Sequence, residues 1–238
     1  MGYDFEYADI YSLNLVENYV LLVTGAKKSG KSVFMENLML TAADRGDEVV
    51  ILELSDDTFA RVAEERGLAR FTDAKGALEL LTRIQAEMVN RAQIKKDCLA
   101  RKCTEQELFT EALANRRIDI FIGNMTALVG QLHDAESPLV DAQSLFEALC
   151  ERGRGYNIFL YGEVSDKDEA ELMGYTCFDS MRGYRSGIRF GGRFGDQKLF
   201  LFENIGYQEQ DRSMKSGIGV LPSENREDRV VKVVVPMN

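Results

Sequence analysis

The octapeptide Gly25-Ala26-Lys27-Lys28-Ser29-Gly30-Lys31-Ser32 constrains this chain more than any other stretch, fitting the spacing G-x-x-x-x-G-K-[ST] at every fixed position. Before it, Tyr19-Val20-Leu21-Leu22-Val23-Thr24 is a β-rich apolar run long enough for one buried strand. After it, Val33, Leu38 and Met39 suit a helix running to about Ala43. Strand, glycine-bearing loop and helix in that order make a phosphate cradle. Glycine lets the backbone curl until successive N–H groups face one anion, and the helix N-terminus adds the positive end of its dipole. Lys31 is placed to reach the β- and γ-phosphates of a nucleotide, and the Ser32 hydroxyl to sit on Mg²⁺. Residues 25 to 32 are therefore the candidate site for ATP and Mg²⁺.

Beyond the loop, buried strands alternate with helices. Arg45-Gly46-Asp47 reads as a turn, and Val49-Val50-Ile51-Leu52 as a second strand ending at Glu53. Leu78, Leu81, Ile84 and Met88 recur at three- and four-residue intervals, which predicts a helix from Asp73 to about Leu99. Thr104-Glu105-Gln106-Glu107 has the form of a capping box, opening a helix that ends near Asn115-Arg116. Arg117 to Ile122 is the third strand, followed by Gly123-Asn124 and then by a loop with a helical beginning from Met125 to Ser137. Pro138, with Ser137 as cap, opens the helix that carries Leu139, Leu145 and Leu149. Asn157 to Tyr161 is the fourth strand. Gly187 to Phe190 and Lys198 to Phe202 read as a hairpin around Gly191-Gly192, and Val230 to Val235 as the last strand. Tyr3 to Val16 is a short irregular lead-in with local strand character. Parallel βα units followed by strand-rich material predict an α/β protein, with a mostly parallel sheet flanked by helices and antiparallel strands at its C-terminal edge. No repeat or Pro- and Ser-rich linker interrupts the chain, so a single domain over residues 1–238 is the simplest organisation.

Charge weighs on the choice of partner. With 39 Asp and Glu against 29 Lys and Arg, the chain leans away from generic nucleic-acid binding, and DNA is not expected as a partner. No apolar run approaches the ~20 residues needed to cross a bilayer. The acidic start, with Asp4, Glu6 and Asp9, is not a secretory signal. Met1-Gly2 reads as an expression start, with the natural N-terminus expected further upstream in a larger protein. Cys98, Cys103, Cys150 and Cys177 lack paired spacing and have only His133 to join them, so they read as reduced thiols of a cytoplasmic protein.

The stretch Arg152-Gly153-Arg154-Gly155-Tyr156-Asn157-Ile158-Phe159-Leu160-Tyr161-Gly162-Glu163 resembles the FtsK/SpoIIIE group of P-loop ATPases. There a helix ends in an Arg/Gly-rich turn, and the next strand finishes in a polar sensor, commonly Ala-Thr-Gln. Here Tyr161-Gly162-Glu163 holds that place. The order of elements is similar over nearly the whole chain, which implies a RecA/FtsK-like P-loop NTPase fold. Within the group, the chain is similar to the last ATPase domain of the membrane-anchored type VII secretion ATPases, the EssC/EccC-like proteins. It stops after the final strand, without the winged-helix module of the DNA pumps, and its hydrolysis site is damaged. The resemblance implies a cytoplasmic domain tethered to the cell membrane through segments outside this chain. Its implied partners are other ATPase domains of the same chain or oligomer, and small helical-hairpin proteins to be exported.

The damage lies at the end of the third strand. In a working member of the group this strand ends in Asp, which positions Mg²⁺, and then Glu or Asp, which deprotonates the attacking water. Here Gly123 and Asn124 stand there, a degenerate Walker B. Gly123 has no ligand atom, and Asn124 orients water without accepting its proton. Asp119 lies four residues earlier on the strand, ~13 Å too soon. Glu163 is the candidate catalytic carboxylate, with a plain strand-end charge as the alternative. Arg182, Arg185, Arg189 and Arg193 read as exposed basic residues of a hairpin, with an arginine finger for a neighbouring subunit as the alternative. Two functions follow. One is an ATP-binding, hydrolysis-impaired docking or regulatory module of a type VII secretion motor. The other is an active FtsK-like motor moving protein or DNA.

Overall fold

The computed structural model describes residues 2–4, 10–11, 20–108, 117–183, 187–193, 199–200, 213–221 and 231–234. The chain opens with two short strands, β1 (Gly2–Asp4) and β2 (Ile10–Tyr11). The phosphate loop connects β3 (Val20–Gly25) to α1 (Lys31–Asp44). There follow β4 (Glu48–Leu52), α2 (Ala60–Arg66), β5 (Ala69–Phe71), α3 (Ala74–Ala100) and the single turn α4 (Glu105–Glu107). The chain continues through β6 (Ile118–Ile122), α5 (Met125–His133), α6 (Gln143–Arg152) and β7 (Ile158–Ser165). Two short helices, α7 (Glu169–Leu172) and α8 (Thr176–Gly183), lead to the edge strands β8 (Gly187–Arg193), β9 (Ser213–Leu221) and β10 (Val231–Val234).

These strands form one sheet in the order β2-β1-β10-β9-β8-β3-β7-β6-β4-β5. The stretch from β8 to β5 is parallel, and β9, β10, β1 and β2 extend it in antiparallel pairing. The expected mostly parallel sheet with an antiparallel edge is therefore present. Parallel strands covered on both faces need apolar side chains at every position rather than at alternate ones. Val20 to Val23 of β3 and Val50 to Leu52 of β4 meet that need, and all are buried. Helix α1 lays Phe34, Met35, Leu38, Met39 and Ala42 into the same core, and Phe34 tilts against Phe190 of β8 at 5.3 Å between ring centroids.

The expected helix boundaries hold where the caps are chemical. Asp73 accepts from the Gly76 N–H at 2.7 Å and starts α3, which buries Leu81 and Ile84 while Leu78 and Met88 pack half-buried beside them. Thr104 and Glu107 bond reciprocally, the Thr104 N–H donating at 2.7 Å and the Glu107 N–H at 3.2 Å, as a capping box requires. The rest of that helix, from residue 109, lies outside the described residues. Four expectations are corrected. Pro138 does not open the helix that carries Leu145 and Leu149: a 3-10 turn over Val140–Ala142 comes first, and α6 begins at Gln143. The strand expected over Asn157 to Tyr161 begins one residue later, at Ile158, and runs as β7 through Glu163 to Ser165. The helical beginning at Met125 extends as α5 to His133, because Asn124 caps it by accepting from the Ala127 N–H at 3.0 Å. Gly191-Gly192 is no hairpin turn. Both glycines lie within β8, at an irregularity in its pairing with β9, and β3 fills the other edge of the strand. The partner strand expected over 198–202 lies outside the described residues except for Leu199 and Phe200, which are buried. The elements α2, β5, α7, α8 and β9 escaped the sequence reading.

Arg189 is another correction. It is neither an exposed hairpin residue nor a finger. Only 1% of its side chain is exposed, and Nη1 donates to Glu169 Oε1 at 3.0 Å. The same carboxylate oxygen accepts from the Thr24 hydroxyl at 2.6 Å, which ties α7 and β8 to β3 just before the phosphate loop. Breaking a buried pair from one side strands the other charge. Glu169→Ala is therefore expected to cost ~3–5 kcal/mol in urea unfolding. A loss below ~1 kcal/mol would show that this pair does not hold the two elements together.

Candidate nucleotide site

Gly25 ends β3 where the backbone passes hard against β8. A Cβ at this position would lie 1.9 Å from the Phe190 carbonyl oxygen, so only glycine fits. The Ala26 N–H then donates to that same oxygen at 3.2 Å. Gly30, at φ +106°, turns the chain into α1 through a conformation that side-chain-bearing residues rarely adopt. From outside, β9 braces the loop. The Gly217 N–H donates to Ser29 O at 2.8 Å, and the Ser216 hydroxyl donates to Lys28 O at 3.0 Å. With the loop carbonyls so engaged, the amides are left over. Among the described residues, no group accepts from the backbone N–H of Lys28, Gly30, Lys31 or Ser32. The Ser29 hydroxyl is likewise buried without a partner. Unpaired donors converging at a helix N-terminus fit an anion such as a phosphate chain.

Lys31 and Ser32 carry the polar side chains of the cradle. Lys31 Nζ donates to Gly25 O at 2.9 Å and Ala26 O at 3.1 Å, and lies 3.8 Å from Glu163 Oε1. The Ser32 hydroxyl faces the same carboxylate, 3.3 Å from Oε2 and 3.5 Å from Oε1. Glu163 is 15% exposed, and burial raises its pKa, offset by the positive charge of Lys31 and the Ser32 hydroxyl. It stands on β7, which lies between β3 and β6, and is paired with Val23 of the loop strand. Glu163 is thus brought to the cradle, while Gly123 and Asn124 are given over to structure. Beyond capping α5, Asn124 donates through Nδ2 to the Ser55 hydroxyl at 2.7 Å. Asp119 lies at the far end of β6, held by Arg117 and by the Tyr161 hydroxyl at 2.9 Å. Of the arginines raised as fingers, Arg193 is exposed and Arg185 lies outside the described residues.

Sequence reasoning passed over Glu53. It follows β4, fully buried, accepting from the Phe59 N–H at 3.1 Å and from Arg70 Nε at 2.9 Å. A Cβ on Gly123 would lie 3.3 Å from its carboxyl oxygen, so the absence of a side chain at 123 makes room for this acid. Its one visible signal was position, an acid at the end of a buried strand. The four cysteines are free thiols, three of them buried, and burial pushes the Cys177 thiol up to about 11. His133 Nδ1 lies 2.9 Å from Val129 O, and its ring packs on Tyr175.

Fold and cradle together define the class, an α/β protein of the P-loop nucleotide-binding type. More particularly, the chain belongs to the FtsK/SpoIIIE family, whose model matches residues 1–161. No curated protein matches the chain. Among solved structures it is similar to EssC (ATPases 2 and 3) from Geobacillus thermodenitrificans, at 13% identity and TM-score 0.74, over 99% of this chain and 40% of that one. The pCW3 conjugation coupling protein TcpA, solved as a monomer with ATPγS, shares 17% identity at TM-score 0.75, over 98% of this chain and 64% of its own. The cytoplasmic domain of the Thermomonospora curvata type VII secretion ATPase EccC shares 13% identity at TM-score 0.69, over all of this chain and 26% of its own. The chain thus spans less than two thirds of each of these structures.

Buried acids of the sheet set a pH dependence. Burial raises the Glu53 pKa to about 7, with Asp56 adding to the rise and the Phe59 N–H and Arg70 opposing it. The folded chain therefore keeps a proton that the unfolded chain has already released. The resulting stability is fully present below the ordinary glutamate pKa and is lost as pH rises through about 7. Asp119, raised to about 6 by burial, acts in the same direction. Unfolding free energy of the nucleotide-free protein should fall between about pH 5 and pH 7.5, and Glu53→Gln should flatten that fall. An unchanged slope in the folded variant would mean that Glu53 titrates normally.

Proposed function

We propose that this chain is an ATP·Mg²⁺-binding, hydrolysis-impaired ATPase domain of a type VII secretion motor, acting as a nucleotide-dependent docking or regulatory module. One observation carries the reading. The cradle of residues 25 to 32 keeps its unpaired amides, its lysine and its serine, whereas β6 leads into Gly123 and into an Asn124 committed to capping α5. Affinity for phosphate rests on the first set, and proton abstraction from water on the carboxylates absent from the second. The structural likeness to EssC and EccC supports the secretion setting, with further ATPase domains and exported helical-hairpin proteins as partners and a membrane tether outside this chain. The chain would be one domain of a longer protein, in line with the share of those structures that it spans. Among the described residues no helix is long and apolar enough to cross a membrane. One observation favours the second reading, an active motor: the Glu163 carboxylate stands against Ser32, where it could serve hydrolysis.

The binding half is tested by calorimetric titration with ATP and Mg²⁺. Lys31→Ala removes a charge-assisted phosphate contact worth ~1.5–3 kcal/mol and should weaken ATP at least about tenfold. Saturating ATP·Mg²⁺ should also stabilise the wild type by ~2–4 kcal/mol, read as a rise in melting temperature. Equal affinity in wild type and variant would remove the loop as the nucleotide site.

A further inference from the structure

We propose that Glu163 is the carboxylate that holds the nucleotide's Mg²⁺, supplied from β7 in place of the acid that β6 lacks. This rests on the reading of residues 25 to 32 as an ATP site and adds a role for a residue outside the loop. The parallel ladder provides the geometry. Ile122 of β6 pairs with Gly162 of β7, so the next residues, Gly123 and Glu163, stand level on neighbouring strands. The carboxylate missing at 123 is thus present one strand over, about 4.8 Å away across the sheet, on the side of β3. Its oxygens face the Ser32 hydroxyl at 3.3 and 3.5 Å, and that hydroxyl is the one the loop offers to a metal. Hard divalent cations take oxygen ligands, and Mg²⁺ at nucleotide sites commonly uses one or two carboxylates besides the phosphates.

The two buried acids of the neighbouring strands β4 and β6 are engaged elsewhere. Glu53 is tied to Arg70 and the Phe59 N–H, and Asp119 to Arg117 and Tyr161 at the opposite end of the strands. Among the described residues, Glu163 is the acid in contact with both Lys31 and Ser32. The role differs from that of a general base, because a metal-holding group acts on binding, before any chemistry.

The test reads binding in the full chain. ATP affinity is titrated with excess Mg²⁺ and with EDTA, and Mn²⁺ affinity of the ATP-saturated protein is followed by electron paramagnetic resonance. Carboxylates around a metal are commonly worth about 10–100-fold in its affinity. Glu163→Gln should lose about that much Mn²⁺ affinity, together with most of the Mg²⁺ enhancement of ATP binding, while its affinity in EDTA stays level or rises. Glu163→Asp, which keeps the charge, should recover part of the loss. Wild-type Mg²⁺ and Mn²⁺ dependence in Glu163→Gln would overturn the proposal and leave ATP binding standing; a simultaneous fall in hydrolysis would make Glu163 a base instead. A wild-type chain without affinity for ATP would overturn the nucleotide site itself.

Discussion

The phosphate loop keeps its shape because β3 and β8 run side by side closely enough that no side chain fits at Gly25. The Phe190 carbonyl takes the space a Cβ would need and accepts the Ala26 N–H, while β9 holds the outer carbonyls of Lys28 and Ser29. The strands therefore engage the loop's acceptors, and its donors are left for an anion. This arrangement depends in turn on the position of β8, which is fixed by the buried contact of Arg189 with Glu169 and by the Phe34–Phe190 packing. A cradle so prepared spends little ordering energy when it binds, which favours affinity.

Much of this was legible in the sequence, for identifiable reasons. The loop, its strand and its helix are local features, and the buried parallel strands announce themselves as unbroken apolar runs. Asp73 and the Thr104–Glu107 pair mark helix starts by chemistry confined to a few residues. The misreadings arose where distant pairing decides the outcome. Gly191-Gly192 looks like a turn in isolation and is an irregularity in β8 once β9 lies beside it. The arginine at 189 looks like surface charge until Glu169, 20 residues away, buries with it. Glu53 carried no motif, and its closeness to Gly123 follows from the β4–β6 pairing alone.

Binding and hydrolysis make separate demands on one sheet. Binding needs the loop and α1, which are intact. On the proposed reading hydrolysis is impaired because the end of β6 holds a glycine against a buried glutamate and a helix-capping asparagine. An Asp introduced at 123 would bring a second carboxyl group against that of Glu53, whose oxygen lies 3.3 Å from where its Cβ would stand. A single-turnover experiment addresses that separation directly, with protein in excess over radiolabelled ATP and Mg²⁺ and the products followed by rapid quench. The account predicts that ATP is bound and recovered intact, with a rate constant far below ~1 s⁻¹, the low end of ordinary enzymes. Conversion of the bound ATP to ADP and phosphate at ~1 s⁻¹ or faster would contradict it.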